Sequence, residues 1–274
     1  MQCKPSSEPG AITSGPQPTK PRTNWFGPAA LPPDGEAGAR PGANWCGVGR
    51  MFDRIAPTYS LLNHILSFGL DFSWRRTLAD ALDKNRELKV LDLATGAGDL
   101  LISLLRRNPN IAQAVGLDIS ENMLAACRRK IAGYKFAGRV TLVHADAACT
   151  GLPDESFDVV TMGFGIRNTP DVFKTLAEIH RVLKPGGTAF ILEFSLPPNR
   201  ILRRIYLVYL RYFVPLVGCL ISRDRTAYRY LNKTIESFCR IEDFCGLMRK
   251  TGFSEVCAEP LTFGVVSLYK GTRL

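Results

Sequence analysis

The sequence predicts an α/β protein: a mostly parallel, seven-stranded sheet with helices on both faces and a helical cover in front. Three observations predict it. Short β-prone runs alternate with amphipathic helical runs between Val90 and Phe194. The first run, Val90–Leu93, breaks at Thr95–Gly96–Ala97–Gly98, and a helical pattern follows with Leu100, Leu101, Leu104 and Leu105 on one face. The second run, Gln113–Leu117, ends on Asp118 and completes a βαβ unit. Parallel strands need crossover helices, and these cover both faces of the sheet.

Residues 1–48 are rich in Pro, Gly, Ala and Ser without hydrophobic period, so a disordered tail is expected. The tail has no apolar signal-peptide core. Its acid-poor composition hints at a transit peptide, yet the prolines defeat the amphipathic helix such a peptide needs, which leaves mitochondrial import a minor alternative. The folded domain is expected over 49–274. From Met51 a helical period runs through Phe52, Ile55, Tyr59, Leu62, Ile65 and Leu66, and Phe72–Lys84 gives a second helix. These two are expected to cover the cofactor cleft from the front, with helices merely packed on a sheet edge as the bland alternative. After Asp118, Ser120 reads as the N-cap of a helix that turns Met123, Leu124, Cys127 and Ile131 inward. Arg139–Val143 is the third strand and leads into Asp146 and Ala147. Phe157–Met162 is the fourth, running into Gly163–Phe164–Gly165–Ile166–Arg167–Asn168. Asp171–Leu183 is a helix stopped by Lys184–Pro185–Gly186–Gly187, and Thr188–Phe194 is the fifth strand. Ile241–Lys250 is again an amphipathic helix, and Ser254–Pro260 and Phe263–Lys270 close the sheet.

Ligands of such sheets gather at the carboxyl ends of the strands, where Asp118, Asp146 and Arg167 fall. Glycines let backbone approach a ligand at a helix N-terminus, where free N–H groups favour an anion. Asp118, about twenty residues further on, is placed for ribose hydroxyls. The ligand therefore contains a nucleoside. A dinucleotide fingerprint wants a third glycine where Leu101 stands, and Asp99 would oppose a pyrophosphate. S-adenosylmethionine has no phosphate, only a carboxylate, an ammonium and a sulfonium, and is the expected cofactor. Asp92 before the loop, and Gly96, Ala97 and Gly98 within it, belong to this candidate site. A nicotinamide dinucleotide is the rival ligand, and a glycine turn that only packs strand on helix is the bland alternative.

At 274 residues and 46% hydrophobic, the chain can bury one large core. Its 8 cysteines form no CxxC pair and no cluster with histidine, so they read as reduced intracellular thiols and no metal site is expected. Cys127 and Cys245 fall on apolar helix faces. There is no Ser/His/Asp constellation, and His180, on a helix, reads as structural. The net charge of +10 asks for an anionic partner, and +7 of it lies between residues 200 and 240.

With those residues in view, the chain from about Met51 onward resembles the UbiE-type C-methyltransferases of menaquinone and ubiquinone biosynthesis. The matching stretches include FDRIAPTYSLLNHILSFGLDFSWRR, VLDLATGAGDL, FDVVTMGFGIRN, RVLKPGG, LEFS and GVVSLYKG. FGIRN and the front segment are the most particular to that family. The resemblance implies a Rossmann-like class I S-adenosylmethionine-dependent methyltransferase. Its reaction would pass a methyl to a ring carbon of a polyprenylated demethylated quinol, demethylmenaquinol favoured and a ubiquinol precursor open. By motif position the cofactor would touch Ala97, Asp118, Asp146, Ala147 and Gly163, with Met123 beside them. Position 97 is alanine where the family often has threonine, 163 is glycine where serine is common, and Ser60 stands where aspartate is frequent. Those departures keep open a subunit that scaffolds a quinone-synthesis complex without chemistry of its own. Arg167 is the candidate catalytic residue, as an electrostatic stabiliser of the ionised quinol oxygen, directly or through a water. A salt bridge to a sheet-end carboxylate is its structural alternative.

The stretch 200–240 is expected to face substrate and membrane. Ile205–Ser222 is strongly apolar but carries Arg211, Pro215 and Gly218. An arginine at a bilayer centre costs roughly 2.5–3.5 kcal/mol, and proline breaks the helical ladder, so spanning is disfavoured. An interfacial segment flanked by Arg203, Arg204, Arg223, Arg225 and Arg229 fits an anionic lipid surface. A basic stripe with spaced stacking aromatics is missing, so nucleic acid is not expected. A homodimer is the other use of such an apolar surface. The expected location is cytoplasmic, peripheral at the inner face of the membrane.

Overall fold

Seven strands form a single sheet in the order β3-β2-β1-β4-β5-β7-β6. The computed structural model describes Asp53 and residues 60–217 and 225–274, with residues 225–229 described by backbone alone. The expected tail over 1–48, most of the first front helix, Gly218 and Arg223, and the Arg225 and Arg229 side chains therefore lie outside the described residues. Strands β1 (Leu88–Leu93), β2 (Ile111–Asp118), β3 (Val140–His144), β4 (Phe157–Gly163) and β5 (Leu183–Phe194) pair in parallel. Strand β6 (Phe253–Leu261) lies at the far edge, and β7 (Val266–Arg273) inserts antiparallel between it and β5. Strand β1 is paired with β2 on one side and β4 on the other, so the connections leave in opposite directions. A crevice opens at the carboxyl ends of such strands.

The helices are α1 (Leu70–Asp80), α2 (Asp99–Arg107), α3 (Glu121–Ile131), α4 (Val172–Val182), α5 (Arg200–Val208), α6 (Arg225–Ser237) and α7 (Ile241–Lys250). Side-chain caps start three of them. The Ser120 hydroxyl accepts from the Met123 N–H at 3.1 Å, Asp171 accepts from Lys174 N–H at 3.0 Å, and Asn199 accepts from Ile201 N–H at 2.9 Å. Leu100, Leu101, Leu104 and Leu105 of α2 are buried, as their spacing requires, and so are Cys127 and Cys245. Trp74, Leu78 and Leu82 pack with the α2 leucines in the main core. A second buried cluster joins Leu62, Ala97, Met123, Leu210, Val214 and Ile235, and this ties the front segment to the glycine loop.

Three boundaries differ from expectation. The last strand starts at Val266 because Thr262–Gly264 forms a tight turn in which Thr262 and Phe263 take φ of 47° and 57°. Strand β5 reaches back to Leu183, which pairs with Phe157 before the register shifts. The helix containing Pro215 does not break: Tyr209–Phe213 widens into a π turn and residues 214–217 continue helical. Proline lacks an N–H and crowds the carbonyl four residues back, and a wider turn relieves both. No helix among the described residues is long and apolar enough to cross a membrane.

Candidate functional site

At the switch point between β1 and β4 lies a recess of about 580 Å³ including its open mouth. Gly96 and Asp118 line it at the glycine loop, Met123 and Ile119 at α3, Ala145 and Ala147 after β3, and Gly163 and Phe164 after β4. The recess is framed by backbone. Asp118 accepts from Gly96 N–H at 2.7 Å and from Ser120 N–H at 2.9 Å, which fixes its carboxylate while leaving lone pairs toward the recess. Burial pushes its carboxyl up from the usual range, against those N–H bonds that pull it down. Ala94 and Phe164, both lining the recess, hold left-handed φ of 51° and 57° at the ends of two adjacent strands. Strain of this kind persists where the surrounding structure over-determines the backbone.

The loop is braced from below and from the front. Asp92 is 1% exposed and accepts from Thr95 Oγ1 and Thr161 Oγ1, each at 2.6 Å. Burial pushes its carboxyl up to about 6 in spite of both hydroxyls. Gly98, at φ 84°, caps α2, and a Cβ there would meet Cys127 Sγ at 2.5 Å. From the front, Ser60 donates to Asp99 at 2.8 Å, while Lys130 donates to Asp99 at 2.6 Å and to Ser60 at 2.8 Å. Ser60 thus ties the front segment to the helix that opens from the loop.

Beside the recess, and sharing Phe164 and Asn168 with it, is a cavity of about 1630 Å³ including its mouth. Six segments wall it: the front segment with α1, residues 164–168 after β4, residues 194–197 at the end of β5, α5 with the turn after it, α6, and residues 262–265. Most of the wall is apolar and aromatic, with Trp74, Phe194, Tyr206 and Tyr209 among the larger groups. Against this stand few polar groups. Arg167 donates from Nη1 to Glu193 at 2.6 Å and to the Phe164 carbonyl at 2.7 Å, and its guanidinium carbon lies 5.1 Å from the centre of the Phe194 ring. Glu193 is 0% exposed, so the pair is buried. The front segment adds Asn63, Ser67, Asp71 and Arg75, one every fourth residue.

A recess at the strand ends and a large apolar cavity thus lie side by side, with Phe164 and Asn168 common to both. The ubiE/COQ5 methyltransferase family matches residues 42–273. The chain belongs to that family. A demethylmenaquinone methyltransferase of Thermus thermophilus is 44% identical over 223 residues, covering 81% of this chain and 100% of that one. The ubiquinone/menaquinone biosynthesis C-methyltransferase of Geobacter sulfurreducens is 43% identical, covering 81% and 87%. Among solved structures, a SAM-dependent methyltransferase of Thermotoga maritima superposes with a TM-score of 0.58 at 20% identity, covering 82% of this chain and 99% of that one. The fold is thus that of the class I S-adenosylmethionine-dependent methyltransferases, as the resemblance implies, on the parallel sheet that the strand alternation predicts.

For a member of the ubiE/COQ5 family, S-adenosylmethionine is the methyl donor, and the recess fits it. Asp118 presents an anchored acceptor that would suit the ribose diol, and Ile119, Met123, Ala145 and Ala147 line the recess with apolar surface that would suit adenine. Gly96, Asp118, Met123, Ala147 and Gly163 therefore meet at one place. Asp92, Ala97, Gly98 and Asp146 stand outside the lining. Asp92 and Gly98 support the loop, Ala97 packs on Leu62 and Met123, and Asp146 accepts from Ala148 N–H at 2.8 Å. The glycine at 163 has a local reason, since a Cβ would approach Leu100 to 3.0 Å. Arg167 lines the cavity and not the recess, and it also makes the sheet-end salt bridge that was its structural alternative. Sequence reasoning missed Asn168, which lines both spaces, and the polar stripe of the front segment. The stripe's four-residue spacing was the signal available, masked by the apolar residues around it.

Proposed function

We propose that the chain transfers a methyl from S-adenosylmethionine to a ring carbon of a polyprenylated demethylated quinol, with demethylmenaquinol as the favoured acceptor. The observation that carries this is the apolar cavity beside the donor recess, sharing Phe164 and Asn168 with it and carrying Arg167 on its wall. The donor supplies an electrophilic methyl on a sulfonium. Ring carbon is a poor nucleophile until a quinol hydroxyl, with a pKa around 10, gives up its proton and its charge spreads onto the ring. Arg167 stays protonated and stabilises that oxyanion, directly or through a water. The new C–C bond forms as the S–CH3 bond breaks, and loss of the ring-carbon proton restores aromaticity. Holding ring carbon and methyl in line contributes up to roughly 7–11 kcal/mol in well-oriented systems.

The Thermus relative is named for demethylmenaquinone and the Geobacter relative for both quinone classes, which supports the naphthoquinol without excluding the benzoquinol. Incubation with methyl-labelled donor and each quinol class decides it. Label is expected in the naphthoquinol ring carbon; label in the benzoquinol alone would overturn the acceptor, and label in neither would leave the scaffold reading.

The same proposal seats the enzyme peripherally at the inner face of an anionic membrane, since such a substrate resides in lipid. Ile201, Ile205, Val208, Tyr212 and Leu216 recur at helical spacing and are 58–72% exposed. Phe68 and Phe263, at 71% and 80%, add apolar groups at the cavity. A homodimer burying the same stripe is the alternative.

A further inference from the structure

We infer that Arg75 receives the carboxylate of the methionine moiety of the methyl donor. The inference rests on the recess holding S-adenosylmethionine and is independent of the methyl acceptor. The ligand brings one carboxylate into a low-dielectric crevice, and a buried carboxylate needs a cation or several N–H donors. The described lining of the recess contains the anion Asp118 and no lysine or arginine. The loop's own donors are partly spent, because Gly96 N–H goes to Asp118 and Gly98 N–H goes to the Thr95 carbonyl. A cation from a neighbouring element would complete the carboxylate's partners.

Among the described residues, the exposed Arg129 shares a surface recess with Ala97, and three cations that are buried or half-buried border the loop or the neighbouring cavity. Lys130 is committed to Asp99 and Ser60. Arg167 is committed to Glu193 and the Phe164 carbonyl, and its Nε is sealed in protein without a partner. Arg75 differs from both. It is 7% exposed and uses Nη1 on Asp71, and its remaining nitrogens have no hydrogen-bond partner among the described residues while not being sealed. It lines the cavity that shares Phe164 and Asn168 with the recess. Its helix, α1, packs on α2, which springs from the glycine loop. Its field reaches that loop: burial pushes Asp99 up, but Lys130 and then Arg75 leave its carboxyl below the usual range. Asp71, itself held by Ser67 at 2.8 Å and His64 at 2.6 Å, restrains the guanidinium so that a second edge of the fork is presented.

The test compares two ligands on the full chain by calorimetry: S-adenosylhomocysteine and its decarboxylated analogue, which keeps the adenosine, sulfur and amine. Arg75→Gln is expected to weaken S-adenosylhomocysteine about 10- to 100-fold, the range for a hydrogen bond to a charged group. The decarboxylated analogue should change less than about twofold, because it never used the cation. Since Arg75→Gln leaves Asp71 without its partner, Arg75→Lys is measured beside it. Lysine keeps the charge but loses the fork, so the same ligand should lose affinity by about threefold to tenfold and the analogue should not. Unchanged S-adenosylhomocysteine binding in the variants would overturn the inference, and so would a parallel loss for both ligands, which marks a structural role. Failure of the unaltered chain to bind either ligand would overturn the donor assignment and this inference with it.

Discussion

The donor recess and the apolar cavity adjoin, yet they are built by opposite means. The recess is made where β1, β2, β3 and β4 end, with backbone at Gly96, Gly163 and Gly165, one anchored carboxylate and a few apolar side chains such as Met123 and Phe164. The cavity is made from side chains of six separate segments, reaching from Leu62 to Val265. A backbone-built site tolerates variation of side chains, and positions 97 and 163 illustrate it. Their missing hydroxyls leave the Asp118–Gly96 hydrogen bond in place. A side-chain-built site has no such reserve. Under the proposed function the two spaces would divide the work along that line: donor binding would be spread over rigid strand ends, while selection and activation of the acceptor would rest on a few polar groups in an apolar wall.

The largest expected effect breaks the cavity and spares the recess. Arg167→Lys keeps a charge but loses the planar guanidinium, whose Nη1 reaches both Glu193 and the Phe164 carbonyl while the rest of the group lies along the cavity wall. Turnover should fall about 10²–10³-fold, as for removal of one electrostatic donor. Affinity for S-adenosylhomocysteine should stay within twofold or so. Turnover at the level of the unaltered chain would reduce Arg167 to the salt bridge with Glu193.

A second prediction concerns the floor of the recess. The folded pKa of Asp92, about 6, lies above its unfolded value near 3.8. Between those two pH values the unfolded chain releases the proton first, so stability falls as pH rises. Asp92→Asn carries no such penalty. Relative to that variant, the unaltered chain should lose up to about 3 kcal/mol between pH 4 and pH 7, at 1.36 kcal/mol per pKa unit. Denaturant melts at the two pH values measure it. A constant difference would mean that Thr95 and Thr161 keep Asp92 ionised.

The contrast also explains what the sequence could disclose. Strand alternation, the glycine turn and Asp118 are local signals, and each element they imply is present with boundaries moved by a few residues. Which residues of the motif face the ligand was less legible. Asp92 and Gly98 belong to the loop signature but point into its support, a matter of burial that spacing does not report. The cavity was legible only as apolar composition, because Asn63, Arg167 and Thr262 meet through tertiary packing. Pro215 misled for a physical reason, since a π turn absorbs the proline that would end an α-helix.

A smaller effect sharpens the recess itself. Asp118→Ala removes a charge-assisted acceptor worth roughly 1.5–3 kcal/mol toward the ribose. S-adenosylhomocysteine should bind at least about tenfold more weakly while the fold is kept. Asp146→Ala should cost less, because Asp146 caps its own turn at Ala148 and the adenine surface is set by its neighbours. Equal losses for the two variants would show that the turn at Asp146 positions the recess as strongly as Asp118 does.

The smallest effect per residue tests how the cavity reaches its substrate. Cations beside an apolar stripe contribute about 1 kcal/mol each at an anionic surface, and the geometry separates those available for it. Arg203 donates from Nε to the Pro197 carbonyl at 2.9 Å, and Arg211 pairs with Glu236 at 2.8 Å. Arg200 and Arg204 are exposed and form no ion pair with another described residue. Charge reversal at Arg200 and Arg204 should therefore weaken flotation with anionic liposomes more than reversal at Arg203 and Arg211 does. Binding of the unaltered chain should weaken in salt, because exposed charges are screened within about 10 Å at 0.1 M. Replacing Ile205 and Tyr212 with serine should lower binding to neutral and anionic vesicles alike, since area burial does not depend on headgroup charge. If the stripe instead joins two copies of the chain, the serine variants will change the oligomeric state and leave flotation as it was. A chain that ignores anionic liposomes yet methylates a membrane-embedded quinol would remove the lipid surface from the account of this cavity.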